Sequence, residues 1–230
     1  MNGINKLRQI MALIVAFTLI GAFTISVYAE TSKAEENFAT IKPTQTELAY
    51  EPLNNRIKKI VDTVTTDDMS DYEKLKACYD WIYDNIEYSS TGQDEFSNEE
   101  DWFEIGMAGS YAGSNATATL IVKKADCVGF SYLFAEMAYY LGYRPTMVHS
   151  MTGGLIKSAG GGYAPHTWVT IKANKVVYIF DPMMEVHGKS WTGNRHYFFA
   201  TTYEQQGDRY QRAEIVGDVP PVFAILTELG

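Results

Sequence analysis

The sequence is poor in several residue types that mark common protein classes. Only two cysteines, Cys78 and Cys127, occur in 230 residues, which excludes a disulfide-dense scaffold and a four-cysteine zinc or iron–sulfur site. Basic residues are outnumbered, 19 Lys and Arg against 28 Asp and Glu, and the formal charge is −9. A chain this acidic offers no broad cationic face to a phosphate backbone, so nucleic acid is not an expected partner. His149, His187 and His196 lack ligand-like spacing, and the acidic cluster Asp94, Glu95, Glu99, Glu100 and Asp101 lacks the spacing of an EF-hand. Gly188-Lys189-Ser190 lacks the glycine of a P-loop, because Met183 stands five residues earlier. No metal or cofactor is therefore the expectation, with calcium at the acidic cluster as the lesser alternative. What remains is 46% hydrophobic and 13% aromatic, enough for a core in one domain or at most two small ones.

The first thirty residues are set apart from the fold. Lys6 and Arg8 precede an uncharged apolar run, Ile10 to Val27, and Val27-Tyr28-Ala29 puts small or apolar residues where a signal peptidase cuts. Residues 1–29 are expected to be a signal peptide, giving a secreted or extracytoplasmic protein with no stable membrane insertion. The alternative is an uncleaved anchor, since this run is just long enough to cross a bilayer. No cysteine follows the run closely, so a lipid-modified cysteine anchor is excluded. Residues 30–52 show no periodicity and read as a linker or arm, leaving 53–230 as one domain.

Helices come first in that domain. Ile57, Ile60, Val61 and Val64 keep helical spacing from Asn54, and Ser70 with Glu73 forms a capping-box pattern before a helix running to Tyr88. Ser89 to Asp101 reads as a loop, with a short helix around Trp102 and a helical turn or two over Asn115 to Val122. Cys127 to Leu141 is the most regular segment, and Gly142 sits where a helix C-terminal glycine belongs. Afterwards the period becomes two. Tyr143–Met151, His166–Lys172, Val176–Asp181, Arg195–Tyr203 and Glu214–Val216 read as strands, with a flexible glycine-rich loop, Gly153 to Gly162, before His166. Helices followed by strands predict an α+β fold, with N-terminal helices packed on an antiparallel sheet.

Cys127, His166 and Asp181 carry the candidate chemistry. A cysteine at a helix start meets unpaired backbone N–H groups and the positive end of the helix dipole, which favour the thiolate. Against this reading, Cys127 could be a small buried residue or pair with Cys78 in a disulfide, although Cys78 lies on the apolar face of its own helix. Ala173-Asn174 reads as a two-residue hairpin turn, pairing Lys172 with Lys175 and setting His166 opposite Asp181. A carboxylate there would fix the imidazole tautomer and leave the other nitrogen for the thiol. A structural His–Asp pair without chemistry is the alternative, and a one-residue slip would send the two to opposite faces.

Asp126-Cys127-Val128-Gly129-Phe130-Ser131, His166-Thr167-Trp168-Val169 and Tyr178-Ile179-Phe180-Asp181-Pro182 together resemble the transglutaminase-like superfamily over residues 70–185. The resemblance implies a papain-like α+β fold and a Cys-His-Asp acyl-transfer triad, with Cys127 as nucleophile, His166 as base and Asp181 as orienter. Thr167 departs from the alanine that many members carry. The family's oxyanion-stabilising side chain has three candidates here, Tyr88, Trp102 and Tyr111. The expected function is an exported thiol enzyme acting on amide bonds of proteins or peptides, cell-wall peptides among them, by hydrolysis or amide exchange. The alternative is a binding module on the same fold, using the aromatics near Trp102 and Trp191.

Overall fold

A computed structural model of the chain describes residues 33–90, 99–149, 154–158, 160–190 and 195–212. The apolar run at 10–27, the predicted strand at 214–216, Trp191, and Asp94 and Glu95 of the acidic cluster lie outside the described residues. Residues 33–38 are helical (α1), followed by α2 (Glu51–Val64), α3 (Asp71–Asn85), the two-residue strand β1 (Glu87–Tyr88), α4 (Glu99–Met107) and α5 (Tyr111–Val122). A second short strand, β2 (Lys124–Ala125), leads into α6 (Cys127–Tyr140). Then come β3 (Pro145–Val148), β4 (Gly154–Lys157), β5 (Tyr163–Pro165), β6 (Trp168–Ala173), β7 (Val176–Phe180), α7 (Pro182–His187), α8 (Tyr203–Gln206) and β8 (Tyr210–Arg212). The order is α+β, as the period change predicts.

Helix α6 is the centre of the packing, buried all round from Gly129 to Tyr140 rather than on one face. That follows from its composition, since a helix apolar on every side has no face to give to water. It stops at a Schellman motif: Gly142 N–H reaches the Tyr139 carbonyl, Tyr143 N–H reaches that of Ala138, and Gly142 takes φ +94°. Helix α3 begins at the expected capping box, in which the Ser70 hydroxyl accepts from Glu73 N–H and the Glu73 carboxylate accepts from Ser70 N–H. Helix α5 starts earlier than its sequence suggests, because the Ser110 hydroxyl caps it by accepting from Gly113 N–H.

Two antiparallel sheets, β3-β6-β7 and β5-β4-β8, lie beside a small parallel pair, β1-β2. One of these strands occupies the region read as a glycine-rich loop: β4 begins at Gly154, and β5 follows directly after the turn around Gly161. The strand predicted over Arg195–Tyr203 does not form. Residues 195–200 turn, Thr201 makes one bridge to Ile179, and Thr202 and Gln205 cap α8 instead. The buried carboxylate of Glu185 explains the difference: it accepts from the N–H groups of Tyr197 and Phe198, which a strand would have needed for its ladder.

The segment read as an arm is docked instead. Phe38 is buried among the rings of Tyr72, Tyr143, Tyr178 and Phe180. Asn37 donates to the Tyr178 hydroxyl and accepts from Asn174 Nδ2, while Thr46 N–H reaches the Tyr140 carbonyl. Alanine and phenylalanine four residues apart, Ala34 and Phe38, are the apolar signal in this polar stretch, and two such residues make no visible period.

Glu136 is a buried carboxyl on α6 whose Oε2 has no hydrogen-bond partner among the described residues. Burial pushes its pKa up to about 8 from the ordinary 4.5. The protonated form is thus favoured by folding, so its stability is full below pH 4.5 and is lost as pH rises through about 8. Glu136→Gln is expected to flatten the fall of melting temperature over that window, as read by thermal unfolding at a series of pH values. An unchanged slope would contradict it.

Candidate active site

Cys127 is the first residue of α6, half-buried, and both it and Cys78 are free thiols. Asp126 precedes it as N-cap, its Oδ1 accepting from the N–H groups of Val128 at 2.9 Å and Gly129 at 3.1 Å. Cys78 is fully buried on α3, and burial pushes its thiol up to about 12. The two cysteines thus occupy opposite environments, one at a helix N-terminus and one in the core.

His166 lies between β5 and β6, 2% exposed, with its N–H on the Gly154 carbonyl. Its Nε2 is 2.6 Å from Asp181 Oδ2, and its imidazole is near enough to the Cys127 side chain for the two to interact electrostatically. With Nε2 on the aspartate, Nδ1 is the nitrogen left for the thiol. Burial opposes the charged ring, but the Asp181 carboxylate and then Cys127 outweigh it and raise the His166 pKa above the usual 6.5. Trp168 stacks on the ring with centroids 6.0 Å apart.

Asp181 is fully buried and anchors α7 as its N-cap, Oδ1 accepting from Met184 N–H at 3.0 Å, with Pro182 in the first turn. Oδ2 accepts from the Tyr210 hydroxyl at 2.8 Å as well as facing His166. The carboxylate therefore has three partners from three parts of the chain.

The hairpin register differs from the expected one. Its turn is Asn174-Lys175, both at positive φ (46° and 69°), and Ala173 pairs with Val176. The alternative turn would have put Ala173 in the left-handed region, which asparagine tolerates better. Val169 pairs with Phe180, so Asp181 falls at the register position of Trp168, diagonal to His166 rather than opposite it. The displacement moves every pairing by two positions, which preserves the face, and a diagonal neighbour is still within reach of a long side chain.

Of the oxyanion candidates, Tyr88 pairs in register with Ala125, two residues before Cys127, and its ring lies 5.2 Å from that of His187. Tyr111 is 59% exposed and meets Tyr132 edge-on, and the Trp102 side chain lies outside the described residues. A cavity of about 760 Å³ is lined by the apolar Ile156, Ala164, Met183 and Met184, by Tyr88 and His187, and by the polar Lys157, Ser158, Gln206, Asp208 and Arg209. Ala164 precedes His166 by two positions and Met183 follows Asp181 by two. Among the described residues, no group of three or more His, Cys, Asp or Glu side chains is placed to hold a metal ion.

Two contributors have little sequence signal. Gly154 is where a side chain would strike the site, since a Cβ would lie 2.7 Å from the His166 carbonyl oxygen. Tyr210 stands alone in a polar stretch, on a strand too short to show alternation.

Residues 58–191, more than half of the chain, match the sequence profile of the transglutaminase-like superfamily. The chain belongs to this superfamily. Among solved structures, this transglutaminase-like chain is similar to one described as a TGase, with 17% identity and a TM-score of 0.42 over 88% of this chain and 51% of that one. It is also similar to a proposed cysteine protease from Cytophaga hutchinsonii, with 18% identity and a TM-score of 0.38 over 60% of this chain and 40% of that one. The chain thus spans about half or less of the length of these structures. No curated protein sequence matches it.

Proposed function

We propose that this transglutaminase-like protein is an exported thiol acyl-transferase or amidohydrolase working through Cys127, His166 and Asp181. The observation that carries the reading is the buried imidazole hydrogen-bonded to Asp181, near Cys127 at a helix N-terminus. His166 takes the thiol proton, giving a thiolate–imidazolium pair. Cys127 Sγ attacks an amide carbonyl, the C–N bond breaks, and His166 returns the proton to the departing amine, leaving a thioester. His166 then deprotonates the incoming water or amine, which displaces the sulfur. Asp126 occupies the N–H groups of Val128 and Gly129, so within this first turn the Cys127 N–H is the donor we assign to the developing oxyanion. Ile156, Ala164, Met183 and Met184 in the neighbouring cavity suit an apolar side chain of a peptide substrate, and Lys157, Asp208 and Arg209 add charge to its walls.

Export rests on Lys6, Arg8 and the apolar run that follows, and an N-terminus at Glu30 in secreted material is its test; an intact Met1 chain in membranes would overturn it. For the chemistry, p-nitrophenyl acetate is expected to acetylate Cys127, detected by peptide mapping, and Cys127→Ser is expected to lose the burst of nitrophenol. Casein with dansylcadaverine then separates amine transfer from hydrolysis. A folded wild-type protein whose Cys127 stays unacylated would favour a binding module instead. The exposed Phe103, Met107 and Tyr111 are the surface such a module would use.

A further inference from the structure

We propose that Tyr210 is a positioning residue of this site, its phenol fixing the Asp181 oxygen that faces His166. The inference rests on the Cys–His–Asp reading above. Tyr210 lies beyond the matched residues 58–191, so this contribution comes from the chain's own C-terminal part. Strand β8 delivers it by pairing with β4, where Ile156 is its register partner. The side chain is 5% exposed, and its ring packs edge-on against Trp168 at 5.0 Å, the same indole that stacks on His166. Trp168 is held in turn by its Nε1–H donating to the Tyr203 hydroxyl. Tyr210 thus supports the imidazole twice, through the carboxylate and through the indole.

The chemistry of the shared oxygen gives the phenol a definite effect. Asp181 Oδ1 is committed to the start of α7, so rotation of the carboxylate is restrained from that side. Oδ2 receives the Tyr210 hydroxyl, a charge-assisted bond with a buried donor that has no water to turn to. Burial, with Asp181 and Glu185 nearby, keeps the phenol protonated well above its usual 10, so it donates at every working pH. The positive end of that O–H dipole competes with the imidazolium for Oδ2 and tempers the carboxylate's pull. Removing it leaves His166 as the remaining side-chain partner of Oδ2 among the described residues and holds the ring proton more tightly. The other groups facing this cluster are Tyr79 from α3, Glu185 from α7, Arg209 beside β8 and Cys127 from α6, and all persist in Tyr210→Phe.

The test compares wild type, Tyr210→Phe and His166→Ala. The phenylalanine keeps the ring against Trp168 and removes one oxygen. His166 titration is followed by imidazole nitrogen NMR, and Cys127 alkylation by iodoacetamide is followed against pH. Tyr210→Phe is expected to raise the His166 titration midpoint by about half a unit or more and to carry the alkaline limb of the alkylation profile upward with it. If Tyr210→Phe lowers only the melting temperature, and both curves superimpose on wild type, Tyr210 is structural and the proposal is overturned. A wild-type alkylation profile indifferent to His166→Ala overturns the dyad itself, whereas the NMR titration still reads the hold of Tyr210 on the histidine.

Discussion

His166→Ala is expected to slow alkylation of Cys127 by iodoacetamide at pH 6 on the order of a hundredfold. An ordinary thiol, with a pKa of about 8.5, is less than about 1% thiolate at that pH, whereas a thiolate paired with an imidazolium at a helix N-terminus is largely ionised. The alanine removes the partner that faces Cys127 and leaves the helix terminus intact. Asp181→Asn should slow the reaction less, because the imidazole remains. Cys78 is the internal control: buried, with its thiol pushed up to about 12, it should react only on unfolding. The pair also has a signature in stability. Burial opposes the imidazolium, Asp181 and Cys127 more than reverse this, and the folded pKa lies above 6.5. That contribution is therefore complete below pH 6.5 and is lost as pH rises through the folded value. Site-by-site mass spectrometry of the labelled protein decides the matter, and equal Cys127 rates in wild type and His166→Ala would refute the dyad.

Gly142→Ala is expected to be the most damaging small substitution. Gly142 holds φ +94°, and an added Cβ would lie 2.2 Å from the Thr44 carbonyl oxygen and 2.5 Å from two further Thr44 backbone atoms. No rotamer relieves a clash between main chains, so the segment around Thr44 has to lift from α6. The cost should be about 3 kcal/mol or more, combining left-handed strain with lost packing of Phe38 and Leu48. For a domain of this size that is a fall of about 10 °C in melting temperature. Gly161→Ala is the comparison, because Gly161 also has positive φ, +85°, with nothing within 4 Å of an added Cβ. It should cost about 1 kcal/mol. Equal losses in the two variants would show that strain alone, and not the Thr44 contact, is responsible.

How much of this could be read from the sequence depended on how local the cause was. Helix α3 announces itself through Ser70 and Glu73, and α6 through its apolar density and Gly142, because caps and periodicity act within a few residues. The meeting of His166 and Asp181 was legible although the turn was misplaced, since a two-position displacement preserves the face. Residues 195–203 read as a strand from the sequence because the decisive acceptor, the Glu185 carboxylate, comes from another element. Strand β4 is hidden by the glycines around it, and its own Gly154 is needed for the close approach to His166. Tyr210 had no local signal at all; its role depends on a partner 29 positions away.

Asn37 has a kinetic consequence for the chain. Its bonds to Asn174 and Tyr178 join residues 137 and 141 positions apart. Closing a loop of that length costs about 4 kcal/mol in chain entropy beyond a constant, and nothing local repays it. The seat for Phe38 is itself built from Tyr143, Tyr178 and Phe180, so it exists only after the hairpin of β6 and β7 has formed. Helices α2 to α6, whose contacts are nearer in sequence, assemble ahead of it. During synthesis the amino-terminal part of the body waits, undocked, until the chain beyond residue 180 is available.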